Sequence, residues 1–412
     1  MRAYLDHAAT SPMPEPVLAA YAEALRAVGN PASTHAHGQE ASARLEAARE
    51  RIAGHLGGDP AEVILTSGGT ESVNLAIKGL AWAARRGSGA AAAGAAGAAV
   101  DRNVLLVAEG EHHATIEAAE WLRDEQGFEL RRLPIDGAGV LRPEALREAI
   151  DAAGPERVAL VSFLWANNEV GSVQPVAELT RIAREAGVPV HIDAIAALGQ
   201  LPIDFAASGA DALSLSAHKI GGPVGVGALL LARGASAEAL LHGGGQQRSR
   251  AGTQDAAGAV AFAAALDLAC GTGGDGAGFE ERIARLAALR DRLVAEVRAA
   301  VPDAVLRGAD PGPSRLAGNA HFTFPGCQGD SLVFLLDAAG VSASVGSACR
   351  AGVAEVSHVL LAMGIPERES IGSLRFTLST GTSEAEVDAL VEALPAAVDR
   401  ARAAGLATRR TS

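Results

Sequence analysis

The sequence predicts an α/β fold in which a mostly parallel central sheet carries helices on both faces and a smaller α/β domain follows. Short aliphatic and β-branched runs alternate with helix-forming segments as far as about residue 258. Polar residues end several of these runs, as expected where the carboxyl ends of parallel strands form a site. Beyond that point, long helices rich in Ala, Leu and Arg replace the alternation. We therefore expect a large domain of residues 13–258 and a small domain formed by residues 1–12 and 259–412.

The individual elements follow in chain order. The run Val63–Thr66 predicts a buried strand, and the apolar residues that recur after it predict a helix through Leu80. Further strands and helices are expected, in order, at residues 104–107, 114–125, 158–163, 176–186, 190–192 and 211–215. In the C-terminal part, apolar residues at helical spacing predict helices over 279–300 and 383–403.

Two segments carry no predicted chemistry. Residues 87–99 are rich in Gly and Ala, which predicts a surface loop insertion whose removal the fold tolerates. The C-terminal residues 407–412 are expected to fray.

The composition is typical of a soluble enzyme. The 412 residues are 49% hydrophobic but only 3% aromatic, so the core must be packed mainly by aliphatic side chains. A formal net charge of -13 argues against general binding to nucleic acid or to membrane surfaces, although a local basic patch could still meet a partner. The N-terminal residues lack an apolar signal core and no stretch approaches the length of a membrane helix, which predicts a cytoplasmic protein.

The three cysteines form no Cys-x-x-Cys pair, so neither a disulfide framework nor a zinc site is expected, and a reducing compartment fits. His35 with His37, and His112 with His113, lack further ligands at suitable spacing, so we expect no metal.

One lysine lies in an unusual setting. Lys219 follows the predicted strand 211–215 and precedes a Gly-Gly-Pro turn, with Ser216 and His218 beside it. An amine aimed into a crevice can form a Schiff base with pyridoxal phosphate, while hydroxyl and imidazole groups bind the phosphate. A surface lysine before a turn is the alternative, and the motif alone does not decide between them.

Two other segments favour the cofactor interpretation. Asp193 ends an apolar run, and a carboxylate there suits the ring nitrogen of pyridoxal phosphate, which it keeps protonated. Strand 63–66 leads into Gly68, Gly69 and Thr70 at the start of a helix, where free backbone N–H groups can seat a phosphate. A simple helix cap is the alternative for this turn.

Eight motifs, nearly end to end, resemble the cysteine desulfurases of the class V aminotransferase group. In chain order they are YLDHAAT from Tyr4, NPAS from Asn30, TSGGTES from Thr66, NNEVG from Asn167, SAHKIGG from Ser216, HGGG from His242, SAC from Ser347 and LRF from Leu374. The resemblance implies a fold-type I pyridoxal-phosphate transferase with a large cofactor-binding domain. It also implies a homodimer that converts L-cysteine to L-alanine and passes the sulfur to an acceptor protein.

The resemblance also implies roles for individual residues. Lys219 is the Schiff-base lysine, and His112 stacks on the cofactor ring, with or without a part in proton transfer. The remaining cofactor-binding residues are Gly69, Thr70, Asn168, Asp193, Ser216, His218 and, toward the neighbouring subunit, Thr253. Asn168 also contacts substrate, and Arg375 with Asn30 grips the substrate carboxylate, a task that suits a planar guanidinium.

Cys349 is the expected nucleophile. It lies in a stretch rich in Gly and Ser, which favours exposure, and the neighbouring Arg350 favours the thiolate. The resemblance is to the group in which a long cysteine loop hands sulfur to a partner. A free structural thiol is the alternative, which we prefer for Cys270 and Cys327.

Two departures from the family pattern stand out. Ala196 occupies the position, three residues after Asp193, where the family usually has a glutamine that binds the cofactor hydroxyl. An alanine cannot donate a hydrogen bond, so we expect a weaker hold on that oxygen. The segment 246–253 also differs from the usual pattern around Thr253.

Two other functions remain open at this point. A selenocysteine lyase or another β-eliminating lyase would keep Lys219 and Asp193 without depending on Cys349. A non-catalytic scaffold in a sulfur-delivery complex is the third possibility, and Ala196 is the only residue that favours it. The acceptor could be an iron–sulfur assembly scaffold, a tRNA-thiolation enzyme or a protein of a biosynthetic pathway, and ligation of an iron–sulfur cluster by Cys349 is left open.

Overall fold

The computed structural model describes residues 2–92, 101–271, 276–346 and 356–409. Within these ranges the strands are β1 Ala3–Tyr4, β2 Val63–Thr66, β3 Val104–Ala108, β4 Glu129–Leu133, β5 Val158–Leu164, β6 Val190–Asp193, β7 Ala212–Ser216, β8 Gly227–Leu231, β9 Val305–Arg307, β10 Asn319–Thr323, β11 Val341–Ser342 and β12 Ser373–Thr377.

The α-helices of the same ranges are α1 Glu15–Leu25, α2 Ala36–His55, α3 Gly69–Ala92, α4 His113–Gln126, α5 Pro143–Ala153, α6 Val176–Glu185, α7 Phe205–Ser208, α8 Ala256–Cys270, α9 Phe279–Ala300, α10 Gly329–Ala338, α11 His358–Ala362, α12 Glu367–Ser370 and α13 Glu384–Arg409. Short 3-10 helices lie at Pro60–Glu62, Pro155–Arg157 and Ala217–Ile220.

A seven-stranded sheet forms the centre of the larger part, in the order β2-β8-β7-β6-β5-β3-β4. Strands β7, β6, β5, β3 and β4 are parallel to one another, whereas β8 runs antiparallel to β2 and β7. The prediction of a mostly parallel sheet is therefore confirmed. The crossover connections of parallel strands carry the helices that cover the sheet.

Helices cover both faces of this sheet because alternate side chains of its strands point to opposite sides. On β3, Val104 and Leu106 belong to a buried cluster that includes residues of α2, α5, α6 and α8. Leu105 and Val107 belong to a second cluster with residues of α3 and α4. Continuous apolar runs such as Val158–Leu164, buried along their whole length, follow from this double cover.

A separate buried cluster forms in the C-terminal part. It joins Ala3 and Leu5 to apolar residues of α9, α10 and α13 and to the three-stranded antiparallel sheet β12-β10-β9. Strand β1 pairs in parallel with β11. The domain division after residue 258 stays a prediction, and helix α8, which crosses it, contributes Phe262 and Leu266 to the larger cluster.

Most predicted segments lie within one or two residues of the observed ones, but one prediction was wrong. Helix α3 continues to Ala92, so residues 87–92 are helical instead of a loop, because alanine favours the helix more than the few glycines oppose it. Residues 93–99 lie outside the described residues. Helix α13 continues to Arg409 and so includes residues 407–409, while residues 410–412 lie outside the described residues. The expected fraying of the C-terminal residues stays a prediction.

Candidate active site

A cavity of about 440 Å³ opens at the carboxyl ends of the parallel strands. Nine of the predicted site residues line it: Gly69, Thr70, His112, Asn168, Asp193, Ser216, His218, Lys219 and Arg375. The fold therefore brings together side chains that the sequence spreads from residue 69 to residue 375. This location matches the rule that α/β sheets bind ligands at the carboxyl edge of their strands.

Sheet register places Asp193 at the floor of the cavity. Asp193 ends β6 and lies beside Leu164 of β5 on one side and Ser214 of β7 on the other. One of its carboxylate oxygens accepts a hydrogen bond from the backbone N–H of Ile195 at 2.9 Å. Burial raises the pKa of Asp193 to about 6, an effect that this hydrogen bond and the charge of Lys219 only partly oppose.

Lys219 reaches the cavity from the 3-10 helix that follows β7. The turn after it requires Gly221, whose φ of 80° is left-handed and where a Cβ atom would lie 2.7 Å from Pro14. The Lys219 Nζ donates to the carbonyl oxygens of Ala8 and Ala9 at 2.5 and 3.1 Å. Burial, followed by the positive charge of Arg375, lowers the pKa of Lys219 to about 8, so about a tenth of the amine is neutral at pH 7.

The predicted phosphate seat lies where helix α3 begins. Gly69 is the first residue of this helix, and its leading N–H groups have no partner within the helix. A Cβ atom at Gly69 would lie 2.4 Å from the end of the Ile195 side chain and 3.4 Å from Ser216, so a larger residue would require Ile195 to move. The Ser216 Oγ is buried and has no hydrogen-bond partner among the described residues. A buried hydroxyl without a partner is costly unless a ligand satisfies it.

Two of the histidines that line the cavity, His112 and His218, are held neutral. His112 caps helix α4, and its Nδ1 accepts the N–H of Ala114 at 3.1 Å. Since a neutral imidazole has a single N–H, the proton of His112 lies on Nε2. Burial, with a smaller effect of the Lys219 charge, lowers the pKa of His112 and of His218 to about 4. The Nδ1 of His218 lies 3.2 Å from the hydroxyl of Thr10.

Arg375 is buried on β12 with its side chain held on two sides. Its Nη1 donates to the carbonyl oxygen of Asn168 at 2.9 Å, and its Nη2 forms an ion pair with Asp6 at 3.0 Å. Its Nε has no partner among the described residues. A buried guanidinium with an unsatisfied N–H and a cavity beside it is suited to bind a carboxylate.

Asn168 enters the cavity from a tight turn that its neighbours stabilise. The Asn167 side chain accepts the N–H groups of Glu169 and Val170 and donates to the carbonyl oxygen of Gly110. Ala196 also lines the cavity, so the position where the family usually has a glutamine does face the site.

Two predicted site residues, Asn30 and Thr253, do not line this cavity. Asn30 is exposed, and its side-chain oxygen accepts hydrogen bonds from Ala32 and from Gln246. Thr253 is exposed as well. Neither Asn30 nor Thr253 therefore lies beside Arg375 in the cavity of the same chain. Cys349 lies outside the described residues. Their predicted roles stay predictions.

The other two cysteines differ from a reactive thiol. Burial raises the pKa of Cys270 to about 11, and it also raises the pKa of Cys327. Both thiols are therefore protonated at neutral pH, in keeping with the structural role expected for them.

Several cavity residues were missed by the sequence analysis, among them Glu111, Glu169, Asn319 and His358, and so was Asp6, which holds Arg375. Glu111 follows a strand end, as Asp193 does, and this position could have marked it. Asn319 donates to the carbonyl oxygen of Glu169 at 3.0 Å across a separation of 150 residues, which no local pattern indicates.

The described parts of the chain hold no cluster of three or more His, Cys, Asp or Glu side chains arranged for a metal ion. No helix in the described ranges combines the length and the apolar character needed to cross a membrane.

The fold and this site define an enzyme of a known class. Residues 3–390 match the family model of the class-V aminotransferases. The chain is 51% identical over 411 residues to the IscS-like cysteine desulfurase of Mycobacterium tuberculosis (strain ATCC 25618 / H37Rv), with 100% of both chains covered. It is 37% identical over 401 residues to the cysteine desulfurase IscS of Dictyoglomus turgidum, a match that covers 97% of this chain and 95% of the relative.

Among solved structures, a NifS-like protein superimposes with a TM-score of 0.84 at 32% identity, covering 97% of this chain and 100% of the other. The chain therefore belongs to the class-V aminotransferase family, and within it to the cysteine desulfurases. The predictions of an α/β fold of fold-type I and of a cysteine desulfurase are confirmed. The lyase and scaffold alternatives are not favoured by these relatives. This family generally depends on pyridoxal phosphate.

Proposed function

We propose that this enzyme releases sulfur from L-cysteine with pyridoxal phosphate held in the described cavity, and that Cys349 receives the sulfur as a persulfide. The observation that carries the proposal is the convergence of Lys219, Asp193 and Arg375 on one cavity with unsatisfied hydrogen-bonding groups. L-Alanine is the second product.

The chemistry of the lining supports this cofactor. The unpartnered Ser216 hydroxyl, the start of α3 at Gly69 and the side chains of Thr70 and His218 would hold the phosphate. Asp193 would face the ring nitrogen, and Asn168 would face the ring hydroxyl. When bound, pyridoxal phosphate supplies an aldehyde that joins to amino groups and a ring that withdraws electrons from the substrate Cα.

Lys219 would anchor the cofactor and then handle the Cα proton. Its lowered pKa, about 8, suits a group that must accept and return a proton near neutral pH. The carbonyl oxygens of Ala8 and Ala9 orient the amine when it is free. His112, neutral with its proton on Nε2, would stack on the ring and donate from that nitrogen.

Arg375 would bind the substrate carboxylate. Asn168 and Asp6 fix the guanidinium on two sides, and the unpartnered Nε is left to donate to the ligand. A fixed planar donor binds the carboxylate of the amino acid and also orients the amino acid in the cavity.

Cys349 would attack the sulfur of the oriented substrate. The thiolate of Cys349 forms an S–S bond while the substrate Cβ–S bond breaks, and the electron pair of that bond stays on the carbon fragment, which is protonated and leaves as alanine. Gly346 and His358, on either side of the segment that contains Cys349, both line the cavity, which supports this assignment.

We further propose a homodimer. Asn30 and Thr253 are exposed, and Gln246 links Asn30 to the segment of Thr253. Arg250 of that segment forms an ion pair of 2.9 Å with Glu71, next to the proposed phosphate seat. Asn30 and Thr253 do not line the cavity of their own chain. If they contribute to catalysis, they would do so in the cavity of a second copy of the chain.

The acceptor is proposed to be a cytoplasmic protein of iron–sulfur assembly or of a thiolation pathway. Pull-down from a cell lysate followed by persulfide transfer to the captured protein would identify it.

To test the proposed function, the purified protein is given L-cysteine and a thiol reductant, and alanine and sulfide are measured together. Wild type is compared with Cys349→Ala, and Cys270→Ala is the matched control. We expect equal amounts of both products from wild type and from Cys270→Ala, and their loss in Cys349→Ala. Pyruvate and ammonia in place of alanine would instead establish β-elimination. Unchanged turnover in Cys349→Ala would contradict the role of that cysteine.

A further inference from the structure

Glu111 is a buried carboxyl group with no part in the mechanism above. Its exposed fraction is 2%, and it lines the cavity. One oxygen, Oε1, accepts the backbone N–H of Leu164 at 2.8 Å. The other, Oε2, is buried without a hydrogen-bond partner among the described residues. An ionised carboxylate in such a place would be very costly.

The contacts of Glu111 join three parts of the site. The Leu164 N–H that it binds belongs to the residue paired with Asp193 across β5 and β6. Its own backbone leads directly into His112, which caps α4. Its carbonyl oxygen lies 2.9 Å from Nε2 of His358, at the start of α11. Glu111 therefore links the two residues proposed to face the cofactor ring, Asp193 and His112.

The charges around Glu111 favour its protonated form. Burial is the main cause that raises its pKa well above the ordinary value of 4.5, and the negative charge of Asp193 on β6 adds to it. The hydrogen bond from Leu164 and the charge of Arg132 on β4 oppose the shift without reversing it. Because the charge of Asp193 adds to the effect of burial, the proton is favoured on Glu111 while Asp193 carries the negative charge.

We propose that Glu111 is a positioning residue, a neutral carboxylic acid that fixes the end of β5 beside Asp193 and orders the backbone that carries His112. The negative charge at this end of the sheet is thereby left to Asp193, where the ring nitrogen can use it. The inference rests on the proposed function, because it assumes that Asp193 and His112 face the cofactor.

The first test detects the proton directly. The infrared spectrum of the cofactor-loaded enzyme at neutral pH is expected to contain a carboxylic acid C=O band that Glu111→Gln removes. Glu125→Gln, at an exposed carboxyl group on helix α4, should leave the band in place. A wild-type spectrum that Glu111→Gln does not alter in this region would overturn the proposal.

The second test measures positioning. Glutamine keeps the acceptor for the Leu164 N–H, so Glu111→Gln should keep the pH midpoint of the visible absorbance of bound pyridoxal phosphate. Alanine leaves that N–H unpaired and opens a space in the cavity lining, so Glu111→Ala should shift the midpoint and weaken cofactor retention by about tenfold. If Glu111→Ala matched Glu125→Gln in both measurements, the proposal would be wrong.

Neither readout needs turnover. An enzyme that fails to release sulfur from cysteine would therefore count against the proposed function, whereas the absence of the infrared band would count against Glu111 alone.

Discussion

Replacing Asp193 by asparagine removes a buried charge while nearly preserving the shape of the side chain. Asp193 is 2% exposed, and burial raises its pKa from 3.8 to about 6. One pKa unit corresponds to about 1.4 kcal/mol, so the ionised form costs the folded, cofactor-free chain about 3 kcal/mol. The neutral amide of the Asp193→Asn variant carries no such cost, and its oxygen could still accept the N–H of Ile195.

The sign of the pH dependence follows from the raised pKa. Between about pH 4 and pH 6, the unfolded chain has lost the Asp193 proton and the folded chain still holds it, so the free energy of unfolding falls as the pH rises. Above about pH 6 the free energy of unfolding falls no further from this cause, because Asp193 is then ionised in both states. The Asp193→Asn variant does not titrate at this position, so its advantage over wild type should grow across this interval and reach up to about 3 kcal/mol.

The assay is urea unfolding of the cofactor-free protein at pH 4 and at pH 7, with Asp151→Asn, an exposed position on α5, as the control. With pyridoxal phosphate restored, the same Asp193→Asn variant should lose about 100-fold or more in kcat, comparable to the loss of a single electrostatic stabiliser. We therefore expect the Asp193→Asn variant to be more stable and less active than wild type, a combination that is common when a residue selected for function is replaced.

Two results would refute this reasoning. An advantage of Asp193→Asn that is equal at pH 4 and at pH 7 would mean that Asp193 carries no desolvated charge. Full activity of the variant would mean that the carboxylate does not face the ring nitrogen.

Two further predictions concern the cofactor hydroxyl and the substrate carboxylate. Ala196→Gln adds a hydrogen-bond donor to the cavity wall and should strengthen cofactor binding by about 1 to 2 kcal/mol at most. The pH titration of the cofactor's visible absorbance should shift accordingly. Identical titrations of variant and wild type would rule this out. Arg375→Lys keeps the charge but loses the planar pair of donors, so KM for L-cysteine should rise about 10- to 100-fold with a smaller change in kcat. A KM equal to that of wild type would mean that Arg375 does not bind the substrate carboxylate.

Much of the site could be predicted because its residues follow local patterns. Lys219 and Asp193 each follow or end an apolar run, and parallel strands bring such ends to one edge. The glycine turn before α3 is equally local, since both its strand and its helix can be recognised within a few residues.

Other features could not be predicted because they depend on contacts between distant segments. The carboxylate partner of Arg375 is Asp6, 369 residues away, and the partner of Glu111 is the backbone of Leu164. The extent of α3 was missed for a different reason. The glycines just before residue 90 indicate a break, whereas the alanines after them and the turns already formed continue the helix to Ala92.

The position of the N-terminal segment has a consequence for how the enzyme is made. Asp6, Ala8 and Ala9 leave the ribosome more than 300 residues before the strand that carries Arg375, the partner of Asp6. The larger sheet can form earlier, because its strands end at residue 231. During synthesis a nascent chain can therefore hold a folded sheet and Lys219 before Arg375 has been added to the chain. The proposed carboxylate-binding site is complete only when the segment of Asp6 meets the strand of Arg375.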